Sequence, residues 1–265
     1  MFKQILIPTD GSTTANKAVK AGMKLARELT PAQVNGRIIL IPSLNFPAAR
    51  AATRLSPLDG MNMNRAFPGS PEGAVTSQIA HYLTTVLFPL SDVVIDIHSG
   101  GRSMDFVPCS TMHLVADHAQ RRRMLDAMLA WNADFAFLYA DIAGTGLLPV
   151  EAENQGKLVI TTEMGGGECI PARVHRVTQH GLRNVLIHVG ALKGRAKTRA
   201  QLGQPPVILT QALHREDYLL VPESGIFEVL LDLGAPVKRG QTVGFIHHLE
   251  RPDRAPEPLV AHSAG

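Results

Sequence analysis

From Arg37 to Ile41 the chain reads Arg-Ile-Ile-Leu-Ile, with apolar side chains at consecutive positions. A strand with water on one face would alternate. A run like this needs cover on both faces, which is the position of an inner strand in a parallel sheet. Similar runs recur: Phe2 to Ile7, Asp92 to Ile97, Phe135 to Leu138 and Leu158 to Thr162. Between them lie segments with apolar residues at helical spacing, predicted as helices over Thr13 to Leu29, Ala74 to Leu87, Asp117 to Trp131 and Val174 to Leu192. Strands alternating with helices predict an α/β fold, a mostly parallel sheet with helices on both faces.

Punctuation sets the boundaries. Pro8 and Asp10-Gly11-Ser12 stop the first strand, and Thr30-Pro31 ends the first helix. Pro42 to Gly73 is a long stretch without clear periodicity, rich in Asn, Pro, Arg and Met. A loop of that length inside a compact domain is functional or disordered, and its apolar content argues against disorder. After Gly194 a polar linker runs to Pro206. From Val207 short β-like runs (Tyr218 to Val221, Gly225 to Leu231, Thr242 to Ile246) alternate with Pro and Gly. The expected domains are a core over 1–194 and a small all-β module over 207–265, cut short at Ser263-Ala264-Gly265. Gly234 to Gln241 resembles the turn of a barrel-sandwich module, but no modifiable lysine stands at a hairpin tip. A structural or lid role is therefore expected rather than that of a biotin or lipoate carrier.

Composition narrows the function classes. With 45% hydrophobic and 18% charged residues over 265 positions, the chain has a globular profile. The net charge of +3 is small and the 26 basic residues are scattered. Arg121-Arg122-Arg123 sits beside Asp117 and Asp126, a solvated face rather than a nucleic-acid patch. No apolar stretch is long enough to cross a bilayer, and the start lacks a signal-peptide pattern. Cys109 and Cys169 form no disulfide framework and are expected as reduced, buried thiols in a cytoplasmic protein. The oligomeric state stays open, a homo-oligomer included.

Three constellations carry chemistry. In Asp96-Ile97-His98-Ser99-Gly100-Gly101, a histidine ends a buried strand, where open α/β sheets bind ligands. Neutral imidazole is a common zinc ligand, with Asp96 near enough to steady it. A satisfied strand-end histidine answers the same pattern. In Ser56 to Gly69, Asn64-Arg65 can clamp a carboxylate, and Arg54 just upstream can polarise an amide carbonyl. The alternative is a surface loop with its arginines in water. In Thr161-Thr162-Glu163-Met164-Gly165-Gly166-Gly167, Glu163 suits a general base. It could equally cap a helix or pair with an arginine.

From about Leu25 onward the chain resembles the succinylglutamate desuccinylase/aspartoacylase family. The likeness leans to the branch that deacetylates N-acetyl-diaminobutyrate in ectoine breakdown. It is carried by Gly36 to Pro42, Asn45-Phe46-Pro47, Ser56 to Gly69, Asp96 to Arg102 and Glu163 to Gly167. The resemblance implies a zinc-carboxypeptidase-like fold, one zinc per chain and hydrolysis of an N-acyl amino acid. His98 then matches the third zinc ligand and Glu163 the catalytic base. Asn64 and Arg65 match the substrate-carboxylate clamp, and Arg54 the carbonyl-polarising arginine. The family's first two ligands, a His and a Glu, have no match: Pro8 to Thr14 stands in their place, and the first histidine is His81. Residues 1–24 instead resemble the opening of a universal stress protein, with a junction near Lys24 to Glu28. Asp10 could lend an oxygen, but Asp10 with His98 is a poor site. The expectation is weak zinc binding and little turnover. The competing readings are a non-catalytic binder of N-acyl amino acids and, on the first 24 residues, a nucleotide-binding protein.

Overall fold

The structure is a computed structural model and describes residues 4–8, 24–25, 27–140, 145–167, 169 and 171–265. Most of the expected first helix, Asp10 and the stress-protein-like start lie outside the described residues. The chain divides into two compact units, Met1–Leu213 and His214–Gly265.

The first unit is built on a seven-stranded sheet. In chain order its strands are β1 (Gln4–Pro8), β2 (Arg37–Ile41), β3 (Val93–His98), β4 (Cys109–His113), β5 (Phe135–Tyr139), β6 (Leu158–Glu163) and β7 (Ile208–Ala212). Their order across the sheet is β2-β1-β3-β6-β4-β5-β7. Every neighbouring pair is parallel except β4 with β6. The central strands β3 and β6 are buried at every position but the last, as continuous apolar runs covered on both faces require.

The helices are α1 (Phe46–Ala51), α2 (Val75–Tyr82), α3 (His118–Ala130), α4 (Leu148–Asn154) and α5 (Ala172–His188). Asp117 starts α3 by accepting a hydrogen bond from the Gln120 amide. Beyond Tyr82 the backbone loosens into a π-helical turn over Leu83–Leu87. Trp131, Phe88, Ile5, Leu6, Ile95, Met124 and Ile160 are among the fully buried side chains of one core. Each such aliphatic contributes about 1.5–3 kcal/mol.

Four expectations are corrected. Arg37–Ile41, expected as an inner strand, is the edge strand β2, paired among the described residues only with β1 and partly buried. Ile208–Ala212 pairs with β5, so it belongs to the large sheet and the second unit begins at His214 rather than Val207. Tyr218 to Val221 is not a strand. The second unit is an antiparallel sheet of Ile226–Val229, Thr242–His247 and Glu257–Val260, with the middle strand in chain order also the central one. Cys109 is buried as expected, but Cys169 is exposed; both are free. Among the described residues no helix is long and apolar enough to cross a membrane.

Gly181 shows how tightly the layers fit. It lies in α5 with the indole of the buried Trp131 where its side chain would stand. Gly181→Ala gains about 1 kcal/mol of helix propensity but forces a backbone shift costing about 1–3 kcal/mol. A net loss of stability is expected, seen as a lower urea midpoint; an unchanged or raised midpoint contradicts this packing.

Candidate active site

Polar residues recur at every second position near the ends of the two central strands. β3 and β6 pair in register, so Asp96 lies beside Thr161 and His98 beside Glu163. β4 runs the other way along β6 and sets Thr111 against Thr161 and Cys109 against Glu163. β5 extends these rows, pairing Phe137 with Thr111 and Tyr139 with His113. Side chains at i and i+2 share a face, so Asp96, His98, Thr161, Glu163, Thr111, His113 and Tyr139 stand on one side of the sheet. They form a polar patch on that side of the sheet.

A cavity of about 250 Å³ opens over that patch, with Arg54, Asn64, Arg65, His98 and Glu163 all among its lining residues. The five residues singled out from sequence thus come together from four separated segments. Arg54 and Arg65 are exposed, while Asn64, His98 and Glu163 are partly buried.

His98 Nε2 is 2.6 Å from Oδ2 of the buried Asp96. That contact fixes the ring. Backbone bonds from Met164 to His98 (3.0 Å) and from Gly100 to Gly165 (2.8 Å) tie the two strand ends together. Gly166 is there because the Met104 carbonyl occupies the place a side chain would need.

The Asn64 amide oxygen accepts from the Leu148 amide at 2.7 Å, at the start of α4. Its Nδ2 is then the group available to a ligand. Arg65 donates to the Asn64 carbonyl at 2.5 Å. The loop that carries them is held through the buried Thr76. Its amide and hydroxyl donate to the Asp59 carboxylate at 2.8 and 3.0 Å, and its hydroxyl accepts from Asn45 at 3.3 Å. Pro42 to Gly73 is therefore an ordered loop with α1 and a short turn at Met63–Arg65 inside it.

Tyr139 and Thr161 line the same cavity and were not singled out from sequence. Burial pushes the Tyr139 phenol above its ordinary range despite a hydrogen bond with Thr161, and the carboxylates of Glu153, Glu163 and Asp96 add to the effect. At neutral pH it is a proton donor. Behind it, buried His113 bonds Glu153 through Nδ1 at 2.9 Å and rests its ring 4.4 Å from that of Tyr139. Burial, with the Glu163 charge adding, pushes the Cys109 thiol up to about 12, so it is no nucleophile at neutral pH.

A catalytic zinc needs about three protein ligands. Among the described residues no group of three or more His, Cys, Asp or Glu side chains is placed to hold a metal ion. The donor set is therefore not met there; Asp10, considered as an extra oxygen, is not among the described residues.

The fold and this cavity agree with what comparison finds. A model of the succinylglutamate desuccinylase/aspartoacylase catalytic domain matches residues 17–189, starting ahead of the Lys24 to Glu28 junction expected from sequence. The chain belongs to the succinylglutamate desuccinylase/aspartoacylase family. It is 37% identical over 249 residues to an N-alpha-acetyl-L-2,4-diaminobutyric acid deacetylase of Halomonas elongata, covering 94% of this chain and 72% of that protein. The product-bound ectoine utilization protein EutE (DoeB) of Ruegeria pomeroyi is 34% identical with a TM-score of 0.92, covering 100% of this chain and 79% of the other. A succinylglutamate desuccinylase of a Silicibacter species is 37% identical with a TM-score of 0.90, covering 100% and 78%. The fold is accordingly the zinc-carboxypeptidase-like one of these relatives.

Asp59 gives the loop a pH dependence. Burial raises its pKa, but hydrogen bonds from the Thr76 and Met61 amides and from the Thr76 and Ser56 hydroxyls outweigh it and hold the value below the ordinary 3.8. A lowered carboxylate pKa contributes stability above the unfolded value, lost as pH falls through the folded one. Asp59→Asn should be less stable than the parent at pH 7, and the two should converge below pH 3.8. A gap that persists at lower pH would show that the charge is not what holds the loop.

Proposed function

We propose that this protein takes an N-acyl amino acid such as N-acetyl-2,4-diaminobutyrate into the cavity on the β3–β6 face, with amide hydrolysis as its reaction class. One observation carries the reading: Arg54, Asn64, Arg65, His98 and Glu163 line one small cavity although they lie far apart in the chain. The names of its relatives support the substrate class.

In this reading Asn64 and Arg65 grip the substrate carboxylate, the guanidinium through paired N–H donors. Arg54 faces the amide carbonyl and stabilises the oxyanion that develops there. Glu163 takes the proton from the attacking water and returns it to the leaving amine. The Tyr139 phenol, kept protonated by burial, is a further donor within the cavity. Asp96 holds the His98 ring in place.

His98 is the metal ligand in this proposal and zinc the metal, but a single histidine does not retain a catalytic ion. Weak zinc binding and impaired turnover follow. The shortfall in donors among the described residues favours a second reading, a binder of N-acyl amino acids without catalysis. Two free cysteines fit a cytoplasmic setting for either.

The test is zinc content by elemental analysis after dialysis against trace metal, together with acetate release from N-acetyl-2,4-diaminobutyrate. Substoichiometric, easily stripped zinc with little hydrolysis is expected. Residual turnover should fall by about 10²–10⁴-fold in Glu163→Gln. One tightly held zinc per chain with sustained hydrolysis would overturn the impairment. Turnover unaffected by Glu163→Gln would overturn the role of Glu163.

A further inference from the structure

A second and larger cavity, of about 470 Å³, shares no lining residue with the first. It lies between α5, the end of α3 and the segment 195–204. Its basic content is out of keeping with the rest of the molecule. Arg173, Arg176, His180 and Arg183 recur along α5 at helical spacing and share one face, and Arg195, Lys197 and Arg199 close the other side.

Asp134 is the one carboxylate among the described lining residues, and it is already taken. Arg173 bonds one of its oxygens, and the buried Arg199 bonds the other at 2.7 Å. Arg199 also donates to the backbone carbonyls of Pro205 and Asn132. Asn132 and Asn184 hold the Lys197 carbonyl from two sides. The wall is thus fixed by its own polar contacts. Arg176, Arg183, Arg195 and Lys197 face the cavity with no carboxylate partner among the described residues.

Unpaired cations gathered in a concavity repel one another, and low-dielectric walls concentrate their field. Core packing gives no reason to collect them. Beside Asn132, Asn184 and Gln204, the lining has an apolar part: Val177, Ile187, Leu202 and the ring of Trp131. Trp131 is 1% exposed, and its indole N–H has no acceptor within the described structure.

We infer that this cavity is a binding site for a small phosphorylated organic molecule, its phosphate held by Arg176, Arg183, Arg195 and Lys197 and its organic body laid against Val177, Ile187 and Leu202, with Trp131 just beneath. A phosphate suits the site because it spreads more than one negative charge over three oxygens, and guanidinium groups bind it in paired hydrogen bonds. The volume is that of a small-molecule site. A concave pocket of this size with an apolar floor favours such a ligand over a nucleic-acid backbone, which would need an extended stripe. The site is independent of the N-acyl amino acid cavity.

Trp131 is the one tryptophan in the sequence, so its fluorescence reports on this cavity alone. The test is a fluorescence titration with adenosine 5′-monophosphate, checked by equilibrium dialysis. Saturable binding at one site per chain is expected, tighter than that of inorganic phosphate. The double variant Arg176→Glu with Arg183→Glu should weaken it about tenfold or more, while circular dichroism and N-acetyl-2,4-diaminobutyrate binding stay unchanged. Absence of saturable binding, equal affinity in the double variant, or inorganic phosphate binding as tightly would overturn the assignment. Loss of this site leaves the other cavity untouched, so the two proposals fail separately.

Discussion

Six consecutive residues of parallel pairing, Val93–His98 against Leu158–Glu163, set the positions of His98, Glu163 and Thr161 in the first cavity. Both strands are buried on both faces, and in such strands a slip of one residue would turn each side chain to the opposite side. The register puts His98 beside Glu163 and Asp96 beside Thr161, with the polar members on a single face. Apolar neighbours such as Val94, Ile95, Val159 and Ile160 hold that register through the core. The chemistry is thus positioned by packing rather than by the polar groups themselves.

The rest of the cavity is supplied by a loop held both by buried apolar residues and by hydrogen bonds. Thr76, fully buried at the second position of α2, gathers the Asp59 carboxylate and the Asn45 amide into one network. A buried hydroxyl and amide without partners would each cost about 1–3 kcal/mol, so the network is a condition for burying this loop at all. Met63, Ala66 and Phe67 add apolar contacts, with Phe67 stacked 6.1 Å from Phe88. Asn64 then joins the loop to α4 through the Leu148 amide, which fixes Asn64 and Arg65 relative to that helix.

Much of this was legible in the sequence where a local signal existed. Uninterrupted apolar runs mark β3 and β6 as inner strands, and a strand ending in His98 or Glu163 announces a crevice; the same signal over β2 misleads, since β2 lies at the sheet edge. Other parts carry no such signal. Cys-Ser-Thr-Met-His over β4 has no apolar run, because the strand places Ser110 and Thr111 in internal hydrogen bonds. Missing it meant missing the antiparallel neighbour of β6, and with it the place of Tyr139. His113 finds Glu153 forty positions along the chain, a separation that local spacing does not reveal. Ile208–Ala212 reads as part of the β module because Ile208 and Leu209 are exposed, as on an edge strand. The basic cavity is assembled from α5 and a linker that looks featureless in sequence, so its charge is visible only after folding.

The proposed function turns on whether the side chains of the first cavity by themselves bind an N-acyl amino acid, with or without metal. The most direct measurement is calorimetric titration of chelator-treated protein with N-acetyl-2,4-diaminobutyrate, beside Arg65→Ala. The account predicts one saturable site in the metal-free parent, weakened in Arg65→Ala by about 1.5–3 kcal/mol. No saturable binding to the metal-free parent, or equal affinity in the variant, would contradict it.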